Sequence, residues 1–178
     1  MATSPENFPR PSFDPKPSTT GEQKAVLAGG CFWCVEAVYR QLDGVGEVVN
    51  GYAGGTAREA DYGTVSTGMT GHAEAVEVTY DPSKVSYDDL LNVFWQLHDP
   101  TTLNRQGPDV GTQYRSAIFF HDAEQETAAK ASKEALQKSG TYKKPIVTEM
   151  VPASEFWQAE EYHQQYLEKR GLAHCTIK

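Results

Sequence analysis

The amino-acid sequence predicts an α+β fold with a split βαβ core and additional α-β-α elements, in which helices pack against an open mixed sheet. Three observations carry this reading. Apolar residues switch repeatedly between strand-like alternation and helical spacing, and clusters of Gly, Pro and Asp punctuate the switches. From residue 24 the segments read β-α-β-β-α-β and then α-β-α, and the first six match the ferredoxin-like pattern. At 178 residues the chain is one domain of ordinary size, able to bury roughly 70% of its unfolded surface.

Residues 24–28 are a short apolar strand that runs into Gly29 and Gly30. From Phe32, the residues Val35, Val38, Tyr39 and Leu42 share a helical face, and Gly44 stops the run. Residues 45–52 read as a strand, 53–71 as a loop rich in Gly and Thr, and 72–80 as a strong strand ending at Asp81 and Pro82. Ser86 with Asp89 has the spacing of a capping box, ahead of a helix whose apolar face carries Leu90, Leu91, Phe94 and Leu97. A second long loop covers 99–113. Then come a strand at 114–120, a polar-faced helix at 122–139 closed by Gly140, a strand at 146–151 and a helix at 155–170 closed by Gly171. Five of the ten prolines lie in the first 17 residues, so 1–20 is expected to be an extended tail. The expected domain is 21–178, ending in a mobile tail at 172–178.

Lys and Arg number 16 against 24 Asp and Glu, a net charge of −8 that repels phosphate backbones and anionic lipid. Nucleic acid and membrane surfaces are therefore poor partners. No apolar run approaches the roughly 20 residues of a membrane span, and the first residues lack the features of a secretory signal. A soluble, cytoplasmic monomer is expected.

The three cysteines, Cys31, Cys34 and Cys175, are too few and too odd in number for a secreted disulfide scaffold. Cys31 stands where a strand meets a helix, where free amides and the helix dipole should lower its pKa below about 8.5 and favour the nucleophilic thiolate. The C-x-x-C of Cys31 and Cys34 is open to inert packing, a zinc site completed elsewhere, a thioredoxin-like dithiol, or other nucleophilic chemistry. Phe32 and Trp33 are either core aromatics or the walls of an apolar pocket. Glu74 begins the row Glu74, Val76, Val78 and Tyr80 on one strand face, so an inward orientation would raise its pKa and leave it able to donate a proton. Ten of the fifteen glycines lie from Gly29 to Gly71, and the loops also hold Tyr62, Asp109 and Tyr114, candidates for a hydrogen-bonding shell.

Five segments in order, GGCFWC from Gly29, GYAGG from Gly51, DYGTV from Asp61, GHAEAVEVTYDP from Gly71 and NRQGPDVGTQYRS from Asn104, resemble the peptide methionine sulfoxide reductases of type A. The resemblance covers about residues 24–166. It implies Cys31 as nucleophile, Phe32 and Trp33 as the pocket for the substrate methyl group, and Glu74 as the acid at the sulfoxide oxygen, assisted by Tyr62 and Tyr114. Asp109 would lie in the loop that shapes the site. The implied reaction returns methionine S-sulfoxide, free or in proteins, to methionine, a repair under oxidative stress, with no metal or organic cofactor and with thioredoxin as reductant. Many members have glycine where this chain has Cys34, so Cys34 is expected to resolve the Cys31 sulfenic acid first, with Cys175 then taking over the bridge. The rivals are a general dithiol-disulfide oxidoreductase and a non-catalytic metal-binding module that uses a histidine such as His174.

Overall fold

In the computed structural model, residues 21–171 are described; the expected N-terminal tail and the C-terminal tail with Cys175 lie outside the described residues. The elements follow in chain order as β1 (Gln23–Gly29), α1 (Phe32–Tyr39), β2 (Val45–Ala53), α2 (Tyr62–Val65), β3 (Ala73–Tyr80) and α3 (Tyr87–Leu97). After these come β4 (Arg105–Gln106), β5 (Asp109–Val110), β6 (Ser116–Phe120), α4 (Ala123–Lys138), β7 (Glu149–Pro152), β8 (Phe156–Gln158) and α5 (Tyr166–Lys169).

Alternation along β3 separates two cores. Val76, Val78 and Tyr80 enter the larger one, under α1, α3 and α4, while Ala73 and Ala75 enter a smaller one on the opposite face with Val26, Ala28, Ala117 and Phe119. Among the described residues six strands form a mixed sheet in the order β7-β6-β1-β3-β2-β8, in which β6 and β7 pair in parallel and the other neighbours antiparallel. The apolar face read from the sequence for α1 is buried throughout, at Val35, Val38, Tyr39 and Leu42. Helix α3 carries the expected capping box, with the Ser86 hydroxyl accepting from the Asp89 amide at 3.0 Å and the Asp89 carboxylate accepting from the Ser86 amide at 3.1 Å.

Three readings need correction. The expected helix at 155–170 is instead β8, a 3-10 turn at Glu161–His163 and the single-turn α5. Phe156 and Trp157 favour a strand, the free edge of β2 accepts one, and Gln165 in the left-handed region (φ 53°) interrupts any continuous helix. The added elements are thus α-β-β-α. Both long loops also hold regular structure: α2 lies in the first and the β4–β5 hairpin in the second. The strand expected at 146–151 begins at Glu149, because residues before it run alongside Pro100, where the Val147 amide donates to the Pro100 carbonyl.

Candidate active site

Antiparallel pairing gathers the candidate residues at one end of the sheet. Register places Tyr52 opposite Glu74, and Leu27 opposite Val76, so the C-terminal ends of β1 and β2 flank the N-terminal end of β3. Ser116 pairs with Gly29, which brings Tyr114 and its 3-10 turn (Thr112–Tyr114) to the same edge. Gly30, at φ 96°, turns the chain from β1 into α1, and a Cβ there would stand 2.8 Å from the Gln106 side chain.

Cys31 is the N-cap residue of α1 and is free. Its expected low pKa is not what the structure produces: burial, followed by the neighbouring Glu74 carboxylate, pushes the thiol up to about 12. Hydrogen bonds from the Trp33 and Cys34 amides act in the opposite direction and lose to desolvation. The helix terminus was legible in the sequence, but the depth at which it is buried was not.

Glu74 is 2% exposed and accepts a hydrogen bond from the Phe32 amide at 3.2 Å. Burial pushes its carboxyl up to about 7; the Phe32 amide pulls down, and Asp109 adds a smaller push upward. The carboxyl therefore exchanges a proton near neutrality, next to a thiol that keeps its own. The hydroxyls of Tyr62 and Tyr114 are pushed above the usual phenol range, by burial first and then by Glu74, so both remain donors. Asp109 lines a cavity of about 130 Å³ together with Cys31, Cys34, Val38, His98 and Gln106.

Phe32 is buried and Trp33 half-buried. The Trp33 ring stacks on Tyr166 with centroids 3.6 Å apart, and its indole N–H donates to His163 Nδ1 at 3.0 Å. His163 in turn packs on Tyr62 at 4.4 Å and on Phe32 at 5.2 Å. These contacts bring Phe32, Trp33 and Tyr62 into one aromatic wall.

Sequence reasoning did not single out Tyr52, Glu160 or His163. The Tyr52 hydroxyl donates to Glu160 Oε1 at 2.8 Å while the Tyr62 amide donates to Glu160 Oε2 at 2.9 Å, so one carboxylate ties strand β2 to the start of helix α2. Tyr52 was visible within the GYAGG segment. Glu160 and His163 carry no local pattern, being 98 and 130 residues distant from their partners Tyr62 and Trp33. Cys34 lies one helical turn from Cys31 and is disulfide-bonded. Cys175 is outside the described residues. Among the described residues no group of three or more His, Cys, Asp and Glu is placed to hold a metal ion.

A thiol that holds its proton beside an acid titrating near 7 suits the chemistry of a thiol-dependent oxidoreductase, in which proton and electron pair move together at sulfur. The family model described as peptide methionine sulfoxide reductase matches residues 23–178. The chain is 60% identical over 158 residues to the peptide methionine sulfoxide reductase MsrA of Methanosarcina acetivorans, covering 89% of this chain and 84% of that protein. Among solved structures it is similar to Mxr1 from Saccharomyces cerevisiae in reduced form, with a TM-score of 0.79, 34% identity and full coverage of both chains. It is also similar to Mxr1 in complex with Trx2, with a TM-score of 0.56 and 28% identity over 87% of this chain and 88% of that one. The chain belongs to the peptide methionine sulfoxide reductase family, in the MsrA group, and is an oxidoreductase.

Proposed function

We propose that this protein reduces methionine S-sulfoxide, free and in polypeptides, with Cys31 as nucleophile and Glu74 as proton donor. The observation that carries this is the pairing of a free Cys31 with a buried carboxyl whose pKa sits near 7. The sulfoxide oxygen leaves sulfur only when protonated. Glu74 gives its proton to that oxygen and recovers one from the Cys31 thiol as the cysteine sulfur attacks. The cysteine sulfur bonds to the sulfoxide sulfur; the protonated oxygen then passes to the cysteine sulfur as the methionine sulfur–oxygen and sulfur–sulfur bonds break, so methionine departs as the sulfide and Cys31 is left as a sulfenic acid. Two electrons from the cysteine sulfur balance the reduction. Phe32 and Trp33 hold the methyl group, and the Tyr62 and Tyr114 hydroxyls donate to the oxygen, with Asp109 shaping the cavity.

The Cys34 thiol then condenses with the sulfenic acid, releasing water, and Cys175 exchanges into the bridge and frees Cys31. A free Cys31 beside a disulfide-bonded Cys34 supports this order, since it is the arrangement left when the bridge has moved on. A thioredoxin dithiol closes the cycle, and the similarity to Mxr1, solved in complex with Trx2, supports it. The order β6-β1-β3-β2 with antiparallel neighbours supports a ferredoxin-like split βαβ core within one reductase domain, 21–178.

Chiral separation of the methionine sulfoxide left after incubation with the protein and dithiothreitol tests the reading. Selective loss of the S epimer, abolished by Cys31→Ser, is expected; loss of the R epimer alone, or undiminished turnover in Cys31→Ser, would end it.

A further inference from the structure

Among the described residues, large apolar side chains left open to solvent are not scattered. Among the described residues they are Met69, Leu103, Val110 and Tyr162, exposed by 86, 70, 65 and 53%. All four lie on segments that frame the candidate site. Val110 follows Asp109, which lines the cavity beside Cys31. Leu103 adjoins Asn104, whose carbonyl accepts from the Gly111 amide at 2.9 Å. Met69 adjoins Gly68, whose carbonyl accepts from the Thr112 hydroxyl at 3.1 Å, so three rim segments are bonded one to the next. On the other side Tyr162 packs on His163 at 4.1 Å, and His163 on Tyr62. By contrast the long helix α4 covers its outer face with Glu–Lys pairs.

We propose that Met69, Leu103, Val110 and Tyr162 form a docking rim for the polypeptide on either side of an oxidised methionine, and that this polypeptide is an extended, locally unfolded segment with apolar flanking residues. The proposal rests on the reductase reading and names the class of protein substrate for it. When a sulfoxide side chain reaches Cys31 between Glu74 and the aromatic wall of Phe32, Trp33 and Tyr62, its backbone stays outside and its sequence neighbours land on these loops. Apolar surface kept open at the mouth of a site is covered on binding, and folded proteins seldom present runs of apolar side chains to cover it. Acidic flanks meet Asp109, which lines the cavity beside Cys31, and Glu160, which is bonded to Tyr62, as well as the chain's net charge of −8.

The test uses the Cys31→Ser protein, which binds without reacting, and short fluorescein-labelled peptides with one central methionine S-sulfoxide flanked by Leu, Glu or Lys. Anisotropy titration is expected to give a Kd about 10-fold lower for the Leu-flanked than for the Glu-flanked peptide. Adding Met69→Gln, Leu103→Gln and Val110→Thr should bring that ratio to about 2 or less. These exposed, near-isosteric changes leave the fold intact, which a thermal melt verifies. With Cys31 retained, the same triple variant should lose kcat/KM on the Leu-flanked peptide through KM, while N-acetylmethionine S-sulfoxide amide, too small to reach the rim, is reduced as before. Equal Kd values for Leu and Glu flanks, tightest binding of the Lys-flanked peptide, an unchanged ratio in the triple variant, or a dimer that excludes peptide would each overturn the rim. Failure to reduce the small amide would instead strike the reductase reading, because the Kd ranking is measured without turnover.

Discussion

Cys31 holds its proton in the free protein because desolvation and the Glu74 charge outweigh two backbone amides. Alkylation of Cys31 by iodoacetamide is therefore expected to be slow at pH 7 and to climb as pH rises toward 12, read by mass spectrometry of the modified peptide. Replacing Glu74 by Gln removes the like-charge penalty, so alkylation should be as fast or faster while sulfoxide reduction falls by about 100-fold. Wild-type turnover in Glu74→Gln would take the carboxyl out of the mechanism. The same group writes a signature into stability. Its folded pKa of about 7 lies above the ordinary carboxyl value of 4.5, so between these pH values the folded protein holds a proton that the unfolded chain has released. Stability from Glu74 thus falls as pH rises through that window, by up to about 3 kcal/mol. His98, kept neutral by burial with a pKa lowered to about 4, acts oppositely between pH 4 and 6.5. The difference between wild type and Glu74→Gln in urea unfolding isolates the glutamate; parallel curves across pH 4.5 to 7 would contradict the assignment.

Strand β8 is held on β2 by what one residue lacks. A Cβ on Gly51 would run into the Phe156 ring and come within 2.5 Å of the Trp157 carbonyl oxygen. Gly51→Ala should displace β8 and loosen the Tyr52–Glu160 bond, seen as faster amide exchange at 156–163 and at least about 10-fold lower turnover; unaltered exchange would refute it. A buried polar network anchors the next segment. Asn50 Nδ2 donates to Glu36 Oε1 at 3.1 Å and to the His163 carbonyl at 2.8 Å, and its backbone exchanges two hydrogen bonds with the Gln164 side chain. Glu36 also accepts from the Gln165 amide at 2.9 Å. Removing the Asn50 side chain leaves buried partners unpaired, so Asn50→Ala should cost about 2 kcal/mol in urea unfolding and raise KM more than it lowers kcat, because His163 orients Trp33. An unchanged KM would show that the network serves stability alone.

Over the whole molecule, the proposed relay passes one oxidation through three cysteines, outward from the Cys31 thiol. In Cys34→Ser, a Cys31–Cys175 bridge is expected to form slowly and incompletely, by mass mapping after one turnover; full formation at an unchanged rate would refute the obligatory order. The alternating periodicities, the Ser86 cap and the inward row from Glu74 to Tyr80 were legible because they are local, written in the spacing of a few neighbours. The candidate residues from Cys31 to Tyr114 were equally legible as motifs, and so was the acid character of Glu74, which needs only a strand face turned inward. Folding alone settled where 155–170 goes, since those residues choose between helix and strand by the open edge of β2, an element roughly 100 positions away in the chain. It likewise settled the protonation of Cys31. A helix terminus pulls the pKa down by short-range dipoles that a sequence displays, whereas desolvation pushes it up through every group that shuts water out, and no short stretch of sequence records that sum.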